Sequence, residues 1–153
     1  MSLEKGMVAP GFTTTDQDGQ TVKLSDFLGK KVILYFYPKD DTPGCTKEAC
    51  NFRDYHTELQ NKGFVVLGVS PDTEKKHKKF IEKFSLPFTL LADTDKSISN
   101  KYFVWGKKKF MGREYEGVLR TTFIIDEKGV ILHKITKVSV DNSTQQILEE
   151  LSV

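Results

Sequence analysis

From Lys30 to Tyr37 the chain reads KKVILYFY, a run of apolar, β-branched and aromatic residues stopped by Pro38. A run that does not alternate suits a strand covered on both faces, as in a parallel sheet between helices, rather than one with a wet side. A second such run, FVVLGVS, spans 64–70, and a third, FTLLAD, spans 88–93. The stretches between them are long enough to hold one helix each. Three buried strands separated by helices fix the class as α/β before any other element is considered.

Between the first two runs, from Cys45 to Lys62, the apolar residues Ala49, Phe52, Tyr55 and Leu59 recur at three- and four-residue steps, and Gly63 stands where a C-terminal cap belongs. The spacing predicts one amphipathic helix over 45–62. DTEKKHKKFIEKFSL, 72–86, predicts a second that buries Phe80, Ile81 and Phe84, with Pro87 beyond its end. Upstream, FTTTDQDGQTVKL predicts a β-hairpin around Asp18-Gly19, followed by a turn of helix capped by Ser25. Downstream come a short helix over 97–102, a glycine-punctuated irregular connection over 104–119, and a hairpin turning on Glu127-Lys128-Gly129. A final helix over 142–152 has Asn142 and Gln145 placed as a capping box. This order resembles a thioredoxin-like fold: a central mixed β-sheet flanked by helices on both faces, with an N-terminal β-hairpin.

At 153 residues and 38% hydrophobic, the chain suits a single domain over 1–153. No repeat, low-complexity tract or linker-like segment argues for a boundary. Lys and Arg (23) nearly balance Asp and Glu (21), so the +2 net charge points to neither a nucleic-acid nor a membrane partner. The opening MSLEKGMVAPGF lacks a signal-peptide core and no later run could span a bilayer, so a soluble, cytoplasmic protein is expected. The lysines of 75–79 and 107–109 read as solvated surface, and His77 as a packed residue on an apolar helix face. Trp105 and Phe110 read as core, or as walls of a pocket. Glu48 reads either as a partner for Thr or Arg groups or as a surface carboxylate in a helix's first turn.

Two cysteines, Cys45 and Cys50, are too few for a disulfide framework and would rest reduced in a cytosolic chain. Cys45 falls where a buried strand gives way to a helix, an edge at which open α/β sheets bind ligands. The unpaired N–H groups and the dipole of the helix's first turn favour the thiolate, making Cys45 the better nucleophile; Cys50 lies beyond that influence. On an intact helix, residues five apart have Cα atoms about 8–9 Å from each other, beyond the roughly 7 Å a disulfide tolerates. C-x4-C thus keeps the thiols apart until the first turn unwinds. An inert buried pair and a zinc site are the competing readings; the TPGC loop context disfavours the first, and the scatter of His56, His77 and His133 the second.

PKDDTPGCTKEAC matches the P-x3-T-x2-C pattern of the peroxiredoxins at Pro38, Thr42 and Cys45, and with Cys50 it resembles the peroxiredoxin Q, or bacterioferritin comigratory protein, subfamily. APGFTTTDQDGQTVKLSDFLGKKVILYFYP and VWGKKKFMGREYEGVLRTTFIID extend the likeness along nearly the whole chain. The resemblance implies a thiol peroxidase without cofactor or metal. Cys45 would attack hydrogen peroxide or an organic hydroperoxide, while the Thr42 hydroxyl and the Cys45 N–H hold the peroxide oxygens. Arg120 would stabilise negative charge and Pro38 would shield the sulfur from water. Cys50 would then condense with the Cys45 sulfenic acid to an intramolecular disulfide, recycled by thioredoxin, with glutaredoxin as the alternative reductant. An internal resolving thiol implies a monomer. Two rival readings stand beside it. A thioredoxin-type reductase needs C-x-x-C and a proline where this chain has Arg120-Thr121, and this chain has neither feature. A binding module signalling through the disulfide would show no turnover.

Overall fold

A computed structural model describes residues 2–152. The three apolar runs become adjacent strands, β3 (Lys31–Phe36), β4 (Phe64–Ser70) and β5 (Thr89–Ala92), with β4 in the middle and parallel to both neighbours. Beyond β5 lies the N-terminal hairpin of β1 (Thr13–Thr15) and β2 (Thr21–Lys23). Beyond β3 lies the hairpin of β8 (Thr121–Ile125) and β9 (Ile131–Ile135), with β8 antiparallel to β3. The seven-stranded mixed sheet runs β2-β1-β5-β4-β3-β8-β9.

The pleat divides the core into two layers. Val32, Leu34 and Phe36 face one way with Leu67, Val69 and Phe123; Ile33, Tyr35 and Tyr37 face the other with Val66, Leu90 and Ile124. The second face is covered by α1 (Pro43–Asp54), α2 (His56–Asn61), α3 (Glu74–Phe84) and α5 (Ser143–Leu151). These helices contribute Phe52, Leu59, Phe80 and Ile147. Each such side chain, fully buried, stabilises the fold by about 1.5–3 kcal/mol. The first face is covered by a 3₁₀ helix, Leu24–Phe27, and by α4 (Ser97–Lys101), which bring Leu24 and Ile98. Helices on both faces of a mixed sheet are as the sequence implies. Among the described residues no helix is long and apolar enough to cross a membrane.

Four local expectations need correction. The helix expected over 45–62 begins at Pro43 and breaks at Tyr55, whose φ of −107° and ψ of 13° separate α1 from α2. The break lets Leu59 reach the core while Tyr55 stays exposed. The segment expected to be irregular forms a separate two-stranded sheet, β6 (Trp105–Phe110) and β7 (Arg113–Val118). Its turn, Met111-Gly112, has positive φ at both residues (51° and 78°), the twist a tight hairpin prefers. Both faces of most of this ribbon are wet, so the strands lack the apolar alternation that pattern reading needs.

Asn142 is the N-cap residue of α5, but at φ −135° and ψ 38° its side chain makes no cap bond, so the expected capping box is absent. Asn51 of α1 replaces it: its Oδ1 accepts from the Thr144 N–H at 2.8 Å, and its Nδ2 donates to Gln145 Oε1 at 3.1 Å. Finally, Ser25 lies within the 3₁₀ helix rather than capping it; Lys23 is the cap residue, its N–H donating to Asp26 Oδ2 at 2.9 Å.

Gly68 lies between Tyr35 on β3 and Leu90 on β5. A Cβ there would sit 2.7 Å from Leu90 Cδ2 and 3.0 Å from the Tyr35 ring. Gly68→Ala should therefore lower stability by about 1–3 kcal/mol in urea unfolding through overpacking. Gly11→Ala, where an added Cβ meets nothing within 4 Å, should stay within about 0.5 kcal/mol of the parent.

Candidate active site

After β3 the chain passes through residues 37–42 and enters α1 at Pro43, a first-turn position where the missing N–H costs nothing. Thr42 is the N-cap residue, but its hydroxyl does not cap; it donates to the Lys39 carbonyl at 2.8 Å. Cys45 is the third residue of α1, and the first backbone bond of the helix runs from the Thr46 N–H to the Thr42 carbonyl. The N–H groups before it, that of Cys45 included, have no helical partner.

Arg120 reaches this helix from the sheet. β8 pairs with β3 so that Thr121 stands opposite Phe36, and residue 120 therefore lies just before β8, at the end of β3 where α1 starts. Its Nη2 donates to Cys45 Sγ at 3.2 Å and its Nη1 to Glu48 Oε1 at 2.8 Å. Glu48 is one turn further along α1, and its Oε2 accepts from the Ser143 hydroxyl at 3.4 Å. A Cβ on Gly44 would touch Arg120 Nη2 at 3.4 Å, so the glycine leaves the guanidinium room.

The site is dry. Cys45 is 1% exposed and Glu48 0%, and the thiol belongs to the apolar cluster of Tyr35, Tyr37, Ala49 and Phe52. Burial pushes the Glu48 carboxyl up to about 7, against the opposing pull of Arg120 and Ser143. Burial also works against the charge on Arg120, but Cys45 and Glu48 more than offset it and raise its pKa. The Tyr35 hydroxyl, unpartnered among the described residues, is held well above the ordinary phenol range by burial and then by Glu48, Asp40 and Cys45. It is neutral at any ordinary pH.

The structure thus brings Cys45 and Arg120 together. Thr42 stands at the head of the helix and Pro38, half-buried, at the end of the strand. Cys50 is half-buried on the same unbroken helix, and both thiols are free. Among the described residues there is no cluster of His, Cys, Asp or Glu able to hold a metal ion. Glu48 turns out to be buried and paired; its place three residues after Cys45, on the same helix face, is the signal that separates the two readings.

Other side chains depart from expectation. Lys108 is half-buried, donating to the Val118 carbonyl at 3.0 Å, and burial and then Arg120 hold its pKa down. Phe110 is 65% exposed and belongs to no core, whereas Trp105 packs partly buried against one. A thiol in a helix's first turn, touching a guanidinium in an apolar setting, is an arrangement that supports nucleophilic chemistry at sulfur.

Residues 6–134 match the AhpC/TSA family. Over 151 residues the chain is 46% identical to peroxiredoxin Bcp of Bacillus subtilis, covering 99% of this chain and 96% of that one. It is 45% identical over 149 residues to peroxiredoxin Bcp of Escherichia coli K12, covering 97% and 96%. Among solved structures, a cysteine-to-serine mutant of PrxQ from Xylella fastidiosa superposes with a TM-score of 0.92 at 27% identity, covering 99% and 97% of the two chains. Peroxidoxin BcpB from Mycobacterium tuberculosis superposes with a TM-score of 0.86 at 34% identity, covering 98% and 97%.

The position of Glu48 has a consequence for stability. Its native carboxyl, at about 7, lies above the ordinary 4.5, so the folded state holds this proton more tightly than the unfolded state does. That stabilisation is complete below pH 4.5 and is lost as pH rises through about 7. Glu48→Gln removes the titration. The unfolding free energy of the parent relative to Glu48→Gln should fall across this window and then level off, and a flat difference in urea unfolding would contradict the assignment.

Proposed function

The chain belongs to the AhpC/TSA family, whose peroxiredoxins are thiol-dependent peroxidases, and we propose that it reduces hydrogen peroxide and organic hydroperoxides with Cys45 as nucleophile, Cys50 as resolving thiol and thioredoxin as reductant. The observation that carries this reading is the 3.2 Å contact from Arg120 to a buried Cys45 sulfur in the first turn of a helix. Two positive features, the guanidinium and the free N–H groups, meet at one sulfur.

The Cys45 thiolate attacks one peroxide oxygen in line with the O–O bond. The S–O bond forms, the O–O bond breaks, and the leaving alkoxide or hydroxide takes a proton, leaving a sulfenic acid on Cys45. Negative charge moves from sulfur to the departing oxygen. Arg120, fixed by Glu48, needs no reorganisation to follow it; the Cys45 N–H is a donor at the start of the helix, and the Thr42 hydroxyl, donating to the Lys39 carbonyl, offers its oxygen as an acceptor for the peroxide hydrogen. Pro38 walls the thiol from water. The Cys50 thiol then attacks the Cys45 sulfur, releasing water and forming the disulfide, which a protein dithiol reduces by exchange. Glutaredoxin is the alternative reductant. An internal resolving thiol makes a monomer sufficient, and two free thiols suit a reducing compartment such as the cytoplasm.

Steady-state peroxide consumption with thioredoxin, thioredoxin reductase and NADPH tests the reading. Cys45→Ser should abolish it. Cys50→Ser should react once and hold a sulfenic acid that dimedone traps. Peroxide consumption surviving in Cys45→Ser above a few per cent would refute the role of Cys45, and a single stoichiometric turnover in the parent would favour a redox-responsive binding module instead.

Disulfide formation also requires α1 to open, because the Cα atoms of Cys45 and Cys50 lie about 8–9 Å apart on an intact helix. Opening forfeits several backbone bonds worth about 0.5–1.5 kcal/mol each, so it is an infrequent event. Hydrogen exchange should show amides from 46 to about 52 losing protection in the disulfide form, while β3 keeps its own. Unchanged protection there would mean that the disulfide forms without unwinding.

A further inference from the structure

A second buried polar network lies beneath the loop that carries Thr42, and no step above uses it. His77, on α3, is 0% exposed and bonded at both ring nitrogens: Nδ1 lies 2.6 Å from Asp40 Oδ2, and Nε2 lies 2.9 Å from the Leu91 carbonyl. A carbonyl only accepts, so Nε2 carries a hydrogen, and a further proton lies between Nδ1 and the Asp40 carboxylate. The other Asp40 oxygen accepts from the Tyr37 hydroxyl at 2.5 Å. The Asp40 N–H donates to Asp72 Oδ2 at 2.7 Å, and that oxygen also accepts from the Ser70 hydroxyl at 2.9 Å. Both carboxylates are at least nine-tenths buried.

Asp40 is therefore fastened by three bonds to three elements: the end of β3, the end of β4 and α3. Such density is out of proportion to an ordinary surface loop. On one side of Asp40 the Lys39 carbonyl receives the Thr42 hydroxyl; on the other, Asp41 takes a positive φ of 58°, the left-handed region that aspartate enters more readily than most residues, and its carboxylate accepts from Lys83 of α3 at 2.7 Å. Thr42 and the first turn of α1 follow directly.

We propose that Asp40 and His77 are positioning residues for the peroxide step: held through Tyr37 and Asp72, they fix the loop so that the Thr42 hydroxyl stands in register with Cys45. This rests on the role given to Thr42 above. The pair touches no substrate and acts only through the loop. Its effect should be that of a small misplacement, about 10- to 100-fold in rate.

The test is a cycle of His77→Leu, Thr42→Val and the double variant. Two rates are read from each reduced protein: single-turnover oxidation of Cys45 by hydrogen peroxide, and alkylation of Cys45 by iodoacetamide, which does not call on Thr42. The expected result is peroxide oxidation about 10- to 100-fold slower in His77→Leu, alkylation within about twofold of the parent, and a double variant no slower than the slower single one. If His77→Leu does not fold, Tyr37→Phe removes one bond to Asp40 while keeping the ring, and it takes its place in the cycle.

A parental peroxide rate in the His77 or Tyr37 variant overturns the inference, as do alkylation changing in proportion or rate losses that multiply in the double variant. Thr42→Val reacting at the parental rate would sink the role of Thr42 and this inference with it. A slow Thr42→Val beside a parental His77→Leu sinks this inference alone.

Discussion

The guanidinium of Arg120 is the constraint around which this end of the molecule is arranged. It stands just before β8, yet its two terminal nitrogens reach Cys45 and Glu48 on α1, tying the helix to the sheet at its first turn. Two acidic groups one helical turn apart in an apolar site would repel if both were charged, and the cation between them lets them coexist. Its space depends on Gly44, and its second partner is steadied by Ser143 of α5. Three elements distant in sequence are thus linked through Arg120 and Glu48.

Much of this was legible in the sequence because it is written in strong local signals. Unbroken apolar runs marked β3, β4 and β5, and the strand-loop-helix sequence around TPGC put Cys45 at a helix start without any tertiary information. Arg120 was reachable only through the family pattern, since 75 residues separate it from the thiol it touches. Glu48 and His77 show where such reading stops. Both lie on helices at positions compatible with surface or packing roles, and only the partners facing them, Arg120 for one and Asp40 and Leu91 for the other, reveal buried polar contacts. The β6–β7 ribbon is illegible for a different reason: with both faces mostly wet it carries no core-facing stripe. Long-range polar pairing and wet hairpins leave little periodicity to find.

α1 has two halves with different obligations. Its first turn carries the thiol and the contact to Arg120, while its last turns carry Phe52, fully buried, and Asn51, which caps α5. The part nearest Cys45 is held to the sheet through Arg120, and the part beyond Cys50 through Phe52 and the bonds of Asn51. Opening from the N-terminal end therefore releases Cys45 and Glu48 first, and with Glu48 its bond to Ser143 of α5, before it reaches Asn51 and Phe52.

Among the described residues the two strands of the separate β6–β7 ribbon pair only with each other, so each has an edge whose backbone groups could recruit a strand from another molecule. Its composition discourages this. Lys107 stands opposite Glu116 and Lys109 opposite Glu114, cross-strand pairs worth roughly 0.2–1 kcal/mol each, which favour the intended register. Pairing β6 of one molecule with β6 of another sets lysines against lysines, a poor match. With Phe110 and the 88%-exposed Met111 at its tip, the ribbon would otherwise be a strong candidate for self-association. Its run of lysines and glutamates acts as a gatekeeper, keeping a projecting pair of strands from seeding aggregates.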